Sequence, residues 1–260
     1  TIEAREPALL DPFLGSGGEA LGVIGIASLL AWGLGYPGQP HILARFMAIR
    51  SADEMPAARR VAMGWVIVVL LAAVVVGLAG AAIITPPLEG PDSEKVFIQM
   101  ATTHLHPVLA GICLSGILAA IMSTASAQLL VASSAFAQDF YKGLFRREAG
   151  RAELLWVGRG AVLGIALLAY LLALNPENKV LDLVAWAWAG FGAAFGPAIV
   201  LSLYWPRMTR NGALAGMLVG GLTVILWKQG SGGIFALYEM VPGVVLSALA
   251  IWIVSSLDRK

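Results

Sequence analysis

The stretch AWGLGYPGQPHILAR, from Ala31 to Arg45, decides how this chain folds. It is apolar enough for a membrane-spanning helix, yet Gly33, Gly35 and Gly38 with Pro37 and Pro40 interrupt it. Glycine frees the backbone, and proline cannot donate to a helical ladder. Inside hydrocarbon such a break is tolerated only where it is buried in protein or lines a cavity. Pro40 suits the first position of a renewed helix. The stretch therefore reads as two half-helices with exposed termini near mid-membrane, where partial positive charge on free N–H groups can hold a carboxylate. Trp32 and Tyr36 border the break with flat apolar faces and a phenol hydroxyl. A packing kink fits the same residues equally well.

The rest of the chain supports a membrane setting. Of its 260 residues, 58% are hydrophobic and 13% charged, against about a quarter charged in a soluble domain. Mean hydropathy is +0.81. A net charge of +1 offers no basic field for nucleic acid. The single cysteine, Cys113, sits in an apolar run, so no intrachain disulfide can form. The opening TIEAREPALLDPFLGSGG starts at Thr1 in a polar, Pro- and Gly-containing segment. It reads as a loop entered part-way, and the chain is expected to be a fragment preceded by helices of the same protein.

A helix needs roughly 20 mainly apolar residues to cross a bilayer. Segments of that kind fall at Glu19–Leu34 with a continuation over Pro40–Ala48, then Arg60–Ile84, His104–Ala137, Leu154–Leu174, Leu181–Tyr204, Ala213–Trp227 and Ile234–Ser256. The expectation is all-α, with about seven crossings. Alternate loops carry Arg45, Arg50, Arg59 and Arg60; then Lys142, Arg146, Arg147, Arg151 and Arg159; then Arg207 and Arg210; then Arg259 and Lys260. The opposite side holds Arg5, Lys95, Lys179 and Lys228. Thirteen cations against four place the C-terminus in the cytoplasm under the positive-inside rule.

Almost nothing titrates within these segments, which argues against a relay of buried carboxylates. His104 and His106, two apart, do not share a helical face and read as interfacial. In GILAAIMSTASAQLL and the residues before it, Gly111, Ser115, Ala119, Ser123 and Ala127 recur every four residues, a ridge that lets another helix approach. Ser123 and Thr124 place two adjacent hydroxyls in that apolar helix. Each can bond the carbonyl one turn back, or offer an oxygen to a hard cation. In AWAWAGFGAAFGPAIV, Gly190, Gly192, Gly196 and Pro197 make a bendable helix flanked by Trp186, Trp188, Phe191 and Phe195. A kinked gate and plain aromatic packing both fit it.

Three ordered stretches, LGYPGQPHILARFMA, GILAAIMSTASAQLLVASSAFAQDFYK and NPENKVLDLVAWAWAGFGAAFGPAIVLSLYWPRMTRNGALAGM, resemble the sodium/solute symporter family, and within it the bacterial members that take up proline. The resemblance runs from about Glu19 to the C-terminus. It implies a leucine-transporter-type fold, in which two inverted five-helix repeats each begin with a broken helix. Residues 19–205 would then form the second repeat, residues 206–260 two further helices, and residues 1–18 an extracytoplasmic loop. It implies sodium-coupled import of L-proline across the bacterial inner membrane, with no covalent chemistry and hence no enzyme. By the family's pattern Trp32, Tyr36 and Pro40 bind the solute, while Ser123, Thr124 and the Ala120 carbonyl bind sodium. Those three cannot complete the about five or six oxygens a hard cation takes, so the missing helices would supply the rest. Rival readings are a symporter for another small carboxylate such as pantothenate, or a membrane-embedded sensor with transporter-like helices.

Overall fold

The computed structural model describes residues 10–15, 18–174 and 180–258. Arg5, Lys179, Arg259 and Lys260 of the charge pattern, and most of the 1–18 loop, lie outside the described residues. In chain order the helices are α1 (Val23–Leu30), α2 (Pro40–Met47), α3 (Met55–Ile83), α4 (Val96–His104), α5 (Pro107–Ala135), α6 (Arg151–Ala173), α7 (Val180–Tyr204), α8 (Arg210–Trp227) and α9 (Met240–Leu257). A 3-10 stretch, Ala31–Gly38, joins α1 to α2, and a π-helical segment, Phe136–Phe145, extends α5. Among the described residues the β content is one isolated bridge, Leu14 with Ala20. The expected all-α class is therefore what is found.

Among the described residues six helices are long and apolar enough to cross a membrane: Ala52–Ile83, Pro107–Phe145, Arg151–Ala173, Val180–Tyr204, Arg210–Trp227 and Met240–Leu257. A shorter apolar segment, Val23–Gly38, stands where the broken crossing was expected. The 39 residues of Pro107–Phe145 would run about 58 Å as a straight helix, nearly twice the hydrocarbon thickness.

Several expected boundaries move, the Arg60 start to Met55 and the Glu19 start to Val23 among them, and two show why. The third crossing, expected from His104, begins at Pro107, because Leu105 is extended and Pro107 opens a new helix whose cap is His106. The His106 Nδ1 accepts the Val108 N–H at 3.4 Å. The last crossing, expected from Ile234, begins at Met240. The six residues before it turn instead, because Gly232 and Gly233 take φ of +74° and +55°, a region that L side chains rarely enter.

The described residues fall into two compact units, one drawn from Thr1–Ile67 and Val180–Lys260, the other from Val68–Lys179. In the first, Ala189 and Ala193 of α7, Val224 of α8 and Met240 of α9 form a buried cluster, joined by Trp188, Tyr238 and Val244. Small residues let these helices touch. A Cβ on Gly212 would strike the Ser255 hydroxyl, one on Gly216 the Ile251 side chain, and one on Gly220 the Ala193 carbonyl. The α8 N-terminus is tied down as well: Thr209 Oγ1 accepts the Gly212 N–H at 3.1 Å, and Ser255 Oγ accepts the Thr209 N–H at 3.1 Å. In the second unit, the turn from the π-helical segment into α6 is held at Glu153. Its carboxylate accepts the Tyr141 hydroxyl at 2.7 Å and pairs with Arg146 at 2.9 Å.

Candidate solute wall and ion ligands

The interruption in AWGLGYPGQPHILAR is narrower than two half-helices with a gap. From Ala31 the chain tightens into 3-10 geometry, and only Gln39, at φ −90° and ψ 111°, leaves helical space before Pro40 restarts the helix. Pro40 occupies the first turn of α2, as its fixed φ favours. The glycines serve close approach rather than unusual backbone angles, since none of Gly33, Gly35 and Gly38 has a positive φ. A Cβ on Gly35 would collide with the Trp188 indole, and one on Gly38 with the Phe191 carbonyl. A Cβ on Gly192 would lie 2.8 Å from the Gly35 Cα. The break and α7 thus meet backbone to backbone.

That contact settles the freed carbonyls. The Trp188 Nε1–H donates to the Trp32 carbonyl at 3.0 Å. The Gln39 amide, 3% exposed, donates to the carbonyls of Gly35 at 3.3 Å and Trp188 at 3.2 Å. A buried side-chain amide without such partners would cost about 1–3 kcal/mol, so Gln39 is a clasp matched to the break. A packing kink frees the same carbonyls, so these donors fit either reading of the break.

Four aromatic rings line the same place. Trp32 stacks on Trp188 at 5.4 Å with planes 14° apart, and on Tyr238 at 6.4 Å and 11°. Tyr36 meets Trp188 edge-on at 5.0 Å and 86°. Tyr36 is half exposed, whereas Trp32 and Pro40 are partly buried. Among the described residues the Trp32 Nε1–H makes no hydrogen bond, which leaves it free to donate. Tyr238 donates its hydroxyl to the Ala185 carbonyl at 2.6 Å. Burial, and then the charge of neighbouring Glu239, pushes that phenol above its ordinary value. The chemistry on offer is an apolar, flat wall with one free indole N–H and one accessible phenol. Such a wall can pack against an apolar group and attract a cation to its ring faces.

Ala120, Ser123 and Thr124 lie on α5 in the second unit, all exposed. Ser115, Ser126 and Ser133 of this helix bond back to Gly111, Met122 and Leu130 at 2.8, 2.6 and 3.2 Å. Ser123 and Thr124 do not, and carry no hydrogen bond among the described residues; Ser134 is alike in this. One turn before Thr124 is the Ala120 carbonyl, the oxygen its hydroxyl would take if it bonded back. Both hydroxyls therefore stay available to a ligand. The small ridge around them is uncovered too: a Cβ on Gly111 or Gly116 meets nothing within 4 Å.

Sequence reasoning missed three participants. Gln39 is a polar residue in an apolar run between glycine and proline, and that oddity was a usable signal. Trp188 was singled out only as one bulky neighbour among several; Trp186, two residues earlier, is exposed instead. Tyr238 was read as part of a crossing helix, which concealed its place in a turn.

The model of the sodium:solute symporter family matches residues 9–220, which covers the break, both α5 hydroxyls and the aromatic part of α7. The chain belongs to that family. It is 53% identical over 246 residues to the sodium/proline symporter of Escherichia coli (strain K12), covering 93% of this chain and 49% of that protein. It is 49% identical over 259 residues to the high-affinity proline transporter PutP of Bacillus subtilis (strain 168), covering 99% and 54%. The osmoregulated proline transporter OpuE of the same strain is 49% identical over 261 residues, covering 100% and 52%. The chain spans about half the length of the curated relatives it matches. No solved structure matches.

Proposed function

We propose that the chain is part of a sodium-coupled symporter that imports L-proline into a bacterial cell across its inner membrane. The 53% identity to a protein named sodium/proline symporter carries this reading. In this reading residues 19–205 are the second repeat, residues 206–260 are two added helices, and the C-terminus is cytoplasmic. Trp32, Tyr36 and Pro40 form one wall of the proline site. The free Trp32 N–H and the start of α2 suit the carboxylate, and the aromatic faces suit the ring and its secondary ammonium. Ala120, Ser123 and Thr124 give sodium three oxygens, and earlier helices of the same protein give the others. Sodium and proline each bind more tightly when the other is present, because the coupling free energy is shared. No bond is made or broken.

The test is uptake of labelled proline by the complete transporter in liposomes. Accumulation should follow an imposed sodium gradient. Uptake that persists unchanged in potassium-only buffer overturns the coupling.

A further inference from the structure

The turn between α8 and α9 belongs to neither half of the broken helix, yet it supplies a ring to Trp32. Gly232 and Gly233 bend the chain through left-handed angles, φ +74° and +55°. Trp227, the last residue of α8, then holds the turn twice. Its Nε1–H donates to the Leu237 carbonyl at 3.0 Å, and its ring packs on Phe235 at 4.8 Å. Next in line, Tyr238 is fixed at both ends. Its backbone N–H donates to Ser28 Oγ on α1 at 2.9 Å, and its hydroxyl to Ala185 on α7 at 2.6 Å. Those two bonds hold the long axis of the ring, and packing against the buried cluster of Ala189, Ala193, Val224 and Met240 restricts its rotation about that axis. Trp32 is the opposite case: its indole N–H is unpaired among the described residues, so its ring plane is met by two stacked rings and by no hydrogen bond of its own. One stacking partner, Trp188, is itself bonded to the Trp32 carbonyl. The other, Tyr238, is anchored elsewhere.

We infer that Tyr238 is a positioning residue for solute recognition, fixing the plane of Trp32 and so the tightness with which the break holds its solute. The inference rests on the reading of Trp32 as a proline-binding residue. It gives the last two helices a part in selecting the solute, beyond packing against α7.

The experiment is a double-mutant cycle in the purified complete transporter, reading equilibrium binding of labelled L-proline at saturating sodium and uptake kinetics in liposomes. Tyr238→Leu removes the stack and the hydroxyl and should raise the proline Kd about three- to tenfold, with kcat within about twofold. Tyr238→Phe keeps the ring and should raise Kd by about twofold or less. In a Trp32→Ala background, Tyr238→Leu should add nothing, because its effect passes through the ring already removed. An equal increase in both backgrounds overturns the inference. So does an unchanged Kd for Tyr238→Leu where Trp32→Ala raises it. Should Trp32→Ala by itself leave Kd unaltered, the reading of Trp32 falls and takes the inference with it; that result needs no Tyr238 variant and is recognised separately. If Tyr238→Leu fails to reach the membrane, Ser28→Ala replaces it, removing the acceptor of the Tyr238 N–H along with the Ser28 hydroxyl's own bond to the Ile24 carbonyl at 2.7 Å within α1. A smaller increase in Kd that vanishes in the Trp32→Ala background supports the inference, and an unchanged Kd overturns it.

Discussion

In α7, 39% of the most apolar window is buried, whereas in α5 and α6 the share is 6%. Both regions are built from similar apolar helices carrying small residues every four positions. In the unit that holds the break, those small residues are consumed by contact: Gly212, Gly216 and Gly220 on α8, and Gly192 on α7, each face atoms a methyl group would strike. In the unit that holds Ser123 and Thr124, the ridge from Gly111 is open, and those two hydroxyls have no hydrogen bond among the described residues, although Ser115 bonds back to Gly111. Lipid tails are as apolar as leucine, so exposed Leu and Ile need no cover in a bilayer. Small residues and hydroxyls are different, since they gain only from a close partner or a ligand. One unit packs its small residues against neighbouring helices, and the other leaves its ridge and the hydroxyls of Ser123 and Thr124 open.

The sharpest way to break this comparison is Gly38→Ala. The new methyl meets the Phe191 carbonyl and the Gly192 Cα, which are backbone and cannot rotate aside. Overpacking of this kind costs about 1–3 kcal/mol, and here it also pushes the break off α7. The complete transporter should show a lower thermal midpoint by intrinsic fluorescence and weaker proline binding. A variant with wild-type midpoint and Kd would mean that the backbone contact is dispensable.

Next in size, Ser123→Ala and Thr124→Ala should act on sodium without acting on folding. A hydrogen-bonding or ligating oxygen on a charged partner is worth about 1.5–3 kcal/mol, so the sodium concentration for half-maximal uptake should rise roughly tenfold or more. Membrane abundance should hold, because neither hydroxyl has a partner to lose among the described residues. Unaltered sodium dependence would return the pair to structural hydroxyls.

Much of this was legible in the sequence for a physical reason. Crossing a bilayer demands long apolar runs, so seven segments and their approximate limits could be counted directly, and Pro40 declared the restart of a helix by its missing N–H. The purpose of Gly35 and Gly38 was not legible. A glycine needed for a positive φ and one needed for close approach look identical in sequence, and only the position of Trp188 and Phe191 distinguishes them. Tyr238 was hidden because apolar residues after Gly232 count as helix in any hydropathy sum, while the turn is dictated by two backbone angles. Whether Ser123 and Thr124 bond back was equally a matter of rotamer, which composition does not encode. Their neighbours Ser115 and Ser126 have the same chemistry and the opposite fate.

The smallest expected effect tests the other half of the comparison. Gly111→Ala on α5 adds the same methyl as Gly38→Ala, but into open space, with nothing within 4 Å. Within one unit taken alone, the only change is loss of glycine's backbone freedom, a gain of about 0.5–1 kcal/mol for a helix interior. In the complete transporter the thermal midpoint should therefore stay level or rise slightly if lipid faces Gly111. It should fall if another helix packs there, because a ridge of small residues then has its methyl-sized gap filled. A fall comparable to that of Gly38→Ala would show that α5 in the complete transporter is as closely packed at Gly111 as the break is at Gly38. A level or raised midpoint would keep the contrast and mean that no helix packs closely on the Gly111 face of α5.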